Sequence, residues 1–215
     1  MHNAPSKCYM CDENATGKEH VPPKCLFPKS KDLEAGVDLR NGLLTVPSCN
    51  LHNSEKSGDD EYFLNVITSL QEINEIGREH YKKQIQRQNS RNPSIIKRFA
   101  DRYIEINNQP AFEVEIERLD VFMQHIAYAL FLAHFGNKWE GDVGWIPESF
   151  AQILNHSEAL ERRQLLSEID LIFNDIKIHG NNKLVFMYQV VKDAQETKMR
   201  LYFYDSFKIF LTFTK

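Results

Sequence analysis

Two short pairs of soft metal ligands set the first constraint on this chain. Cys8-Tyr-Met-Cys11 and Cys49-Asn-Leu-His52 are C-x2-C and C-x2-H, separated by residues 12–48. A short turn directs both of its side chains at one point, so two such turns can close a tetrahedral site around a single ion. Three thiols and an imidazole are a zinc donor set, and a chain tied there must fold its first part around that ion. The bland alternative is two thiol turns that never meet. Four cysteines in 215 residues, three of them in ligand-like pairs, argue for a reducing compartment and a metal rather than a disulfide framework. Cys25 has no partner at ligand spacing and is expected as a buried hydrophobe.

The segment between the pairs carries Glu19-His20-Val21-Pro22-Pro23. The two prolines keep it extended, because proline lacks a donor and biases its predecessor away from helix. Lys24 to Asn41 is polar and reads as a loop. Leu43-Leu-Thr-Val46 suits a short strand that Pro47-Ser48 ends. Cys49 and His52 stand at i and i+3, adjacent if a helical turn has begun, and Asn53 and Lys56 repeat that spacing on a neighbouring face.

Taken together, C-x2-C, an acid-His followed by Val-Pro-Pro, and C-x2-H-Asn-x-x-Lys resemble the HNH endonucleases of the ββα-metal class, over roughly residues 5–63. The resemblance implies a hairpin followed by a helix, with Glu19 and Asn53 holding a catalytic Mg²⁺ or Mn²⁺, His20 activating water, and Lys56 touching substrate phosphate or stabilising charge. These roles suit the residue types. Neutral imidazole is a base near pH 7, and carboxylate and amide oxygens are hard ligands for a hard cation. The chain departs from the family in having Glu-His where Asp-His is usual. Asn41, the nearest candidate for the family's middle asparagine, lies further from Asn53 than in the commoner patterns. Taken alone, His20 would be a polar loop residue.

Gly58 should break the ligand-bearing turn, and Asp59-Asp60 can cap a new helix. Tyr62, Phe63, Val66, Ile67, Leu70, Ile73, Gly77 and Tyr81 follow helical spacing, which predicts one long amphipathic helix to about residue 87. Its later part is basic. Lys82, Lys83, Arg87 and Arg91 are candidate contacts to nucleic-acid phosphates, against the plain reading of a solvated helix face. A net charge of −4 announces no nucleic acid globally, so any binding face has to be local.

Gln88-Asn-Ser-Arg-Asn-Pro93 carries breaker signals and marks a domain boundary. Beyond it, Ala111–Ile116 alternates as a strand and Leu119–Phe131 reads as a buried helix. Gly136–Pro147, with Trp139 and Trp145, is loop-like, and Glu148–Ile169 is mostly helical. Leu171–Ile178, Lys183–Val191 and Met199–Phe213 are rich in β-branched and aromatic residues and suggest an antiparallel sheet. His125, His134, His156 and His179 are isolated and expected to be structural.

The expected fold is α+β: residues 1–88 a zinc-stapled ββα-metal module with an extended helix, and residues 95–215 an α+β domain ending in an antiparallel sheet. The expected function is a divalent-metal-dependent endonuclease acting on DNA, of a kind that serves bacterial restriction or phage defence. RNA stays open as a substrate, since nothing reads or rejects a 2′-hydroxyl. The competing reading is a non-catalytic zinc-dependent module that binds nucleic acid or protein. No signal-peptide pattern and no long apolar run occurs, so the expected location is the cytoplasm, without a membrane partner. The second domain would supply target choice, a protein partner or homo-oligomerisation.

Overall fold

The computed structural model describes residues 6–54, 56–70, 72–91, 93–106, 108–150 and 152–215, with residues 84, 89, 95 and 96 described by backbone alone. Along the chain come β1 (Gly17–Val21), β2 (Leu44–Ser48), α1 (Asn50–Ser54), α2 (Ser57–Thr68), α3 (Glu75–His80), a π-helical turn (Tyr81–Ile85), α4 (Gln86–Arg91) and α5 (Pro93–Ala100). Then follow β3 (Tyr103–Ile106), β4 (Gln109–Phe112), α6 (Ile116–Phe135), β5 (Asp142–Pro147), α7 (His156–Phe173), β6 (Ile178–His179), β7 (Phe186–Lys192), β8 (Thr197–Phe203) and β9 (Phe207–Thr214). The chain is thus mixed α+β with a carboxy-terminal antiparallel sheet, as expected. Among the described residues no helix is long and apolar enough to cross a membrane.

The chain makes two compact units, and they are not two successive segments. One holds residues 1–71, 75–87 and 114–140; the other holds 72–74, 88–113 and 141–215. A change of unit does fall at residue 88, but the expected 95–215 domain is interrupted, because α6 belongs to the first unit. The reason is in its side chains. Leu119, Phe122, Met123, Ile126 and Leu130 are buried, and Phe122 stacks on Phe63 of α2 with ring centroids 3.9 Å apart. The helix starts are pinned as well: Tyr62 Oη accepts the Glu115 N–H at 2.7 Å, and Arg118 bonds Asp59 at 2.6 Å.

The single long helix expected from residue 59 to 87 is broken. α2 begins at Ser57 with Gly58 inside its first turn, and Asp60 bonds Lys56 rather than capping. At the other end Thr68 and Ser69 turn their hydroxyls onto the carbonyls of Leu64 and Val66, a competing bond pattern that favours helix ends. Asn74 then bonds Tyr204 and Leu184 through its backbone and side chain, which explains why 72–74 groups with the second unit. The expected linker is helical in α4 and α5, with Asn92 outside the described residues.

In the second unit β3 and β4 form a hairpin, so the strand expected at 111–116 starts earlier and yields to α6. The main sheet runs in the order β5-β9-β8-β7-β6, antiparallel throughout. Gly136–Pro147 proves to be only partly loop. Val143 and Trp145 lie in β5 at the sheet edge, where Pro147 can end a strand without removing an interior bond. Met199–Phe213 divides into two strands at a turn where Tyr204 and Asp205 take positive φ of 46° and 72°.

Of the strand expected over Leu171–Ile178 only the last residue is in one, Ile178 at the start of β6. α7 runs through to Phe173 and starts later than expected, behind the reciprocal bonds of Asn155 and Glu158. Its Ile169 and Phe173 pack on Phe210 of β9, and that packing overrides the local preference of a β-branched run. Arg200 of β8 forks onto Glu148 and reaches Asp170 of α7 at 2.7 Å, tying sheet, loop and helix together.

Gly180, before β7, supports a prediction. Its φ is +124°, and a Cβ there would stand 2.8 Å from the Phe186 carbonyl oxygen and 3.2 Å from the Met187 Cα. Backbone cannot swing aside, and the conformation is itself strained for any other residue. Gly180→Ala is expected to destabilise by about 2–3 kcal/mol and lower the melting temperature by several degrees. An unchanged melt would refute the strained turn.

Candidate metal centre

The chain around Cys8 folds into a tight knuckle. Lys7 bridges Asn14, Cys8 N–H donates to Glu13 O at 2.9 Å, and Tyr9 N–H donates to Pro47 O at 2.9 Å. The last of these bonds hangs the knuckle on β2. β1 and β2 pair antiparallel, from Gly17 with Ser48 to Val21 with Leu44, and α1 follows at once. The loop, hairpin and helical turn expected from the sequence are therefore present, and they deliver the four soft ligands to one place.

The donor atoms of Cys8, Cys11, Cys49 and His52 all lie within 4.8 Å of one another, close enough to hold one metal ion. Cys11 Sγ and Cys49 Sγ are 3.8 Å apart, and His52 Nδ1 is 3.3 Å from Cys49 Sγ and 3.5 Å from Cys8 Sγ. Two sulfurs about 2.3 Å from one tetrahedral ion stand about 3.8 Å apart. The Cys11–Cys49 edge matches that figure, and the two sulfur–nitrogen edges are shorter, as the shorter zinc–nitrogen bond requires. Burial pushes the Cys8 thiol up, but the backbone N–H groups of Cys49, Met10 and Cys11 outweigh it and bring the thiol down to about 6. For Cys11 the Glu13 N–H pulls down, while burial and the neighbouring Cys49 and Cys8 leave it raised. Crowded thiols resist losing a second proton, and a cation removes that resistance.

Cys25 is half-buried and lies outside this group. Burial pushes its thiol up to about 12, in keeping with the hydrophobe reading.

Behind His52 sits a pair that no spacing announced. Tyr9 is fully buried, and its hydroxyl lies 2.6 Å from His125 Nδ1 on α6. Burial holds the Tyr9 phenol well above its ordinary value and brings His125 down to about 4, helped by the charges of Lys56 and His52. The pair is therefore held uncharged, a phenol hydrogen-bonded to a neutral imidazole. The His125 and His52 rings are 5.6 Å apart. The only signal was a histidine on the buried face of Leu119–Phe131. The other isolated histidines lie elsewhere; His179, for example, stacks on Tyr188.

The remaining candidates divide between the two faces of β1. Successive side chains of a strand point to opposite faces, so Glu19 and His20 part company. Glu19 turns inward and is 7% exposed. Its Oε1 is 3.0 Å from Lys56 Nζ, and Lys56 also bonds Asp60 at 2.9 and 3.1 Å. Lys56, 4% exposed, is thus buried between two carboxylates and not presented to a substrate phosphate. Burial raises Asp60 to about 6, with Lys56 pulling down and Glu19 and Asp59 pushing up.

Asn53 is exposed on α1. Its Nδ2 is the nearest atom, at 3.7 Å, to where a Cβ of Gly17 would be. Gly17 and Glu19 share a face, so Asn53 lies on the Glu19 side of the strand. His20 lies on the other side, paired with Thr45 and half-buried. Burial and the charge of Lys24 hold its imidazole below the ordinary value, Glu19 pulls the other way, and Arg40 adds to the lowering. Arg40 is fixed there by two bonds to Phe27 O, at 2.9 and 2.7 Å. Asn41 sits in the exposed turn before β2.

The basic run is largely matched by carboxylates within the first unit. Lys82 and Lys83 pair with Glu79 at 3.3 and 3.1 Å, and Arg87 grips both oxygens of Asp32 at 2.8 and 2.9 Å. Arg91 is exposed at the end of α4. No protein-family model, curated protein or solved structure matches this chain.

Proposed function

We propose that residues 8–60 are a zinc-stapled nuclease module of the HNH kind, hydrolysing phosphodiester bonds of DNA with the help of a divalent cation. The observation that carries this reading is His20: a half-buried imidazole whose proton affinity is lowered by burial and by the charges of Lys24 and Arg40, on the first strand of a hairpin that runs directly into a ligand-bearing helix. A phosphodiester needs a base for water and positive charge for its oxygens, and that strand face offers both.

Three thiolates and an imidazole suit zinc, and four protein ligands leave it no open position, so its role is structural. Glu19 of β1 and Asn53 of α1 carry a carboxylate and an amide, the donor types of a Mg²⁺ or Mn²⁺ site, and taking up such an ion would require Glu19 to release the Lys56 ammonium that stands 3.0 Å from its Oε1. Such an ion would supply Lewis-acid charge to the phosphate. His20 takes the proton from the attacking water. The second unit then serves target choice or a protein partner, and the reduced thiols suit the cytoplasm. A place in restriction or phage defence follows by analogy alone.

A second reading is a zinc-dependent binding module that does not cut, favoured by the engagement of Glu19 with Lys56 and the opposite facing of His20. Purified, zinc-loaded protein incubated with supercoiled plasmid, single-stranded DNA and RNA, each with Mg²⁺, Mn²⁺ or EDTA, separates the two. Nicking of plasmid that EDTA abolishes is expected. Intact DNA under every condition would favour the binding module, and cleavage of RNA alone would move the substrate class.

A further inference from the structure

We propose that Tyr9 and His125 are positioning residues for the metal centre, so that zinc affinity is set in part by a helix far outside the ligand motif. The inference rests on the zinc part of the reading above and needs no nuclease activity. The ligands lie between residues 8 and 52, whereas His125 belongs to α6.

His52 turns Nδ1 towards the sulfurs, 3.3 Å from Cys49 Sγ and 3.5 Å from Cys8 Sγ, so Nδ1 is its metal-binding atom. Two other rings stand against it. The His52 centroid is 6.4 Å from that of Tyr9 and 5.6 Å from that of His125, and those two are 6.1 Å apart. The Tyr9 hydroxyl closes the group, 2.6 Å from His125 Nδ1 and 3.5 Å from the His52 carbonyl oxygen. One hydroxyl thus faces both the main chain of a ligand and a side chain of α6.

Tyr9 also bears on the other half of the site. It stands inside C-x2-C beside Cys8, its side chain is fully buried, and its N–H donates to Pro47 O at 2.9 Å. The next N–H, of Met10, reaches Cys8 Sγ at 3.5 Å. A Tyr9 ring fixed by His125 therefore fixes the backbone that aims Cys8. The far end of the same turn is gripped from just beyond α6, where Lys138 donates to the Cys11 carbonyl at 2.8 Å.

Such holding acts on the ion through its ligands. Ordering them at the moment of binding costs free energy, and ligands already in place avoid that cost. Groups that orient ligands without touching the ion typically change metal affinity about 10–100-fold when altered.

The test titrates zinc-loaded, full-length protein with a chromogenic chelator under reducing conditions. Tyr9→Phe keeps the ring and removes the hydroxyl, and it is expected to bind zinc about tenfold more weakly. His125→Leu is expected to match it, and the double variant to be no weaker than either single, because both remove one contact. His125→Asn, whose amide can pair with the hydroxyl in either sense, is expected to keep the wild-type affinity. As a control, Phe122→Leu loosens α6 against Phe63 at a distance from the turn. It is expected to lower the melting temperature with zinc affinity unchanged.

Wild-type zinc affinity in Tyr9→Phe would overturn the proposal. So would an equal loss in Phe122→Leu, which would mean that α6 acts only through overall stability. If His125→Leu does not fold, Tyr9→Phe and Phe122→Leu decide together. A wild type that takes up no zinc is a different result, since the four-ligand reading would then fail and this inference with it.

Discussion

Replacing His20 by alanine is expected to slow DNA cleavage by about 10²–10⁴-fold, the usual contribution of a general base, with zinc content and melting temperature as in the wild type. The separation is expected because His20 sits on the face of β1 away from Glu19 and away from the buried core of Val21 and Val46. Burial, Lys24 and Arg40 lower its proton affinity, so the neutral, base-competent form persists below the pH at which a free histidine protonates. The acid limb of kcat/KM should accordingly lie below the ordinary histidine range and vanish in His20→Ala. The stability side has the matching sign. A histidine whose folded-state pKa is depressed costs nothing above its unfolded value and destabilises the fold progressively as pH falls below it. Cleavage at the wild-type rate by His20→Ala would remove the base from the mechanism.

What the residues announced and what they hid follow from the range of each interaction. The ligand pairs were legible because each needs only a turn, and a site that one ion could close supplies the long-range constraint that ordinary sequence lacks. β1 was legible from Val21-Pro22-Pro23 for a similar reason: proline acts on its own backbone. The break after Thr68 was not, since apolar spacing continues through Leu70 and Ile73, and the chain is diverted by bonds from Asn74 to Tyr204 and Leu184.

The return of α6 to the first unit was equally hidden. Leu119, Phe122 and Ile126 say that one face is covered, and only the stacking of Phe122 on Phe63 says by what. At the site, spacing gave residue types without directions. Adjacency in sequence joined Glu19 to His20, while the two-residue period of a strand separates them. Lys56 looked like a surface cation because lysines usually are, and two carboxylates from different elements made it a buried one.

Cys8→Ser, or stripping the protein with a strong thiol-compatible chelator, is expected to release zinc and unfold the first unit's amino-terminal part. A structural zinc contributes about 10–16 kcal/mol of apparent binding free energy, as much as the whole stability of a typical domain at about 5–15 kcal/mol. Little else could replace it here. The knuckle from Lys7 to Asn14 contains no regular element beyond one bridge, and α1 spans five residues, too short to persist unaided. Cys8 is a telling ligand to remove, because the backbone N–H groups around it bring its thiol down to about 6 and favour the thiolate that binds metal. Its loss also loosens Tyr9, whose hydroxyl reaches His125 on α6, so damage should spread from the knuckle into the Phe63–Phe122 core. The expected observations are zinc content well below one ion per chain by elemental analysis and new proteolytic cuts within residues 6–54. A variant that keeps a folded, protease-resistant amino-terminal region without zinc would show that packing alone holds the hairpin to its helix, and the metal would then have to be explained by something other than stability.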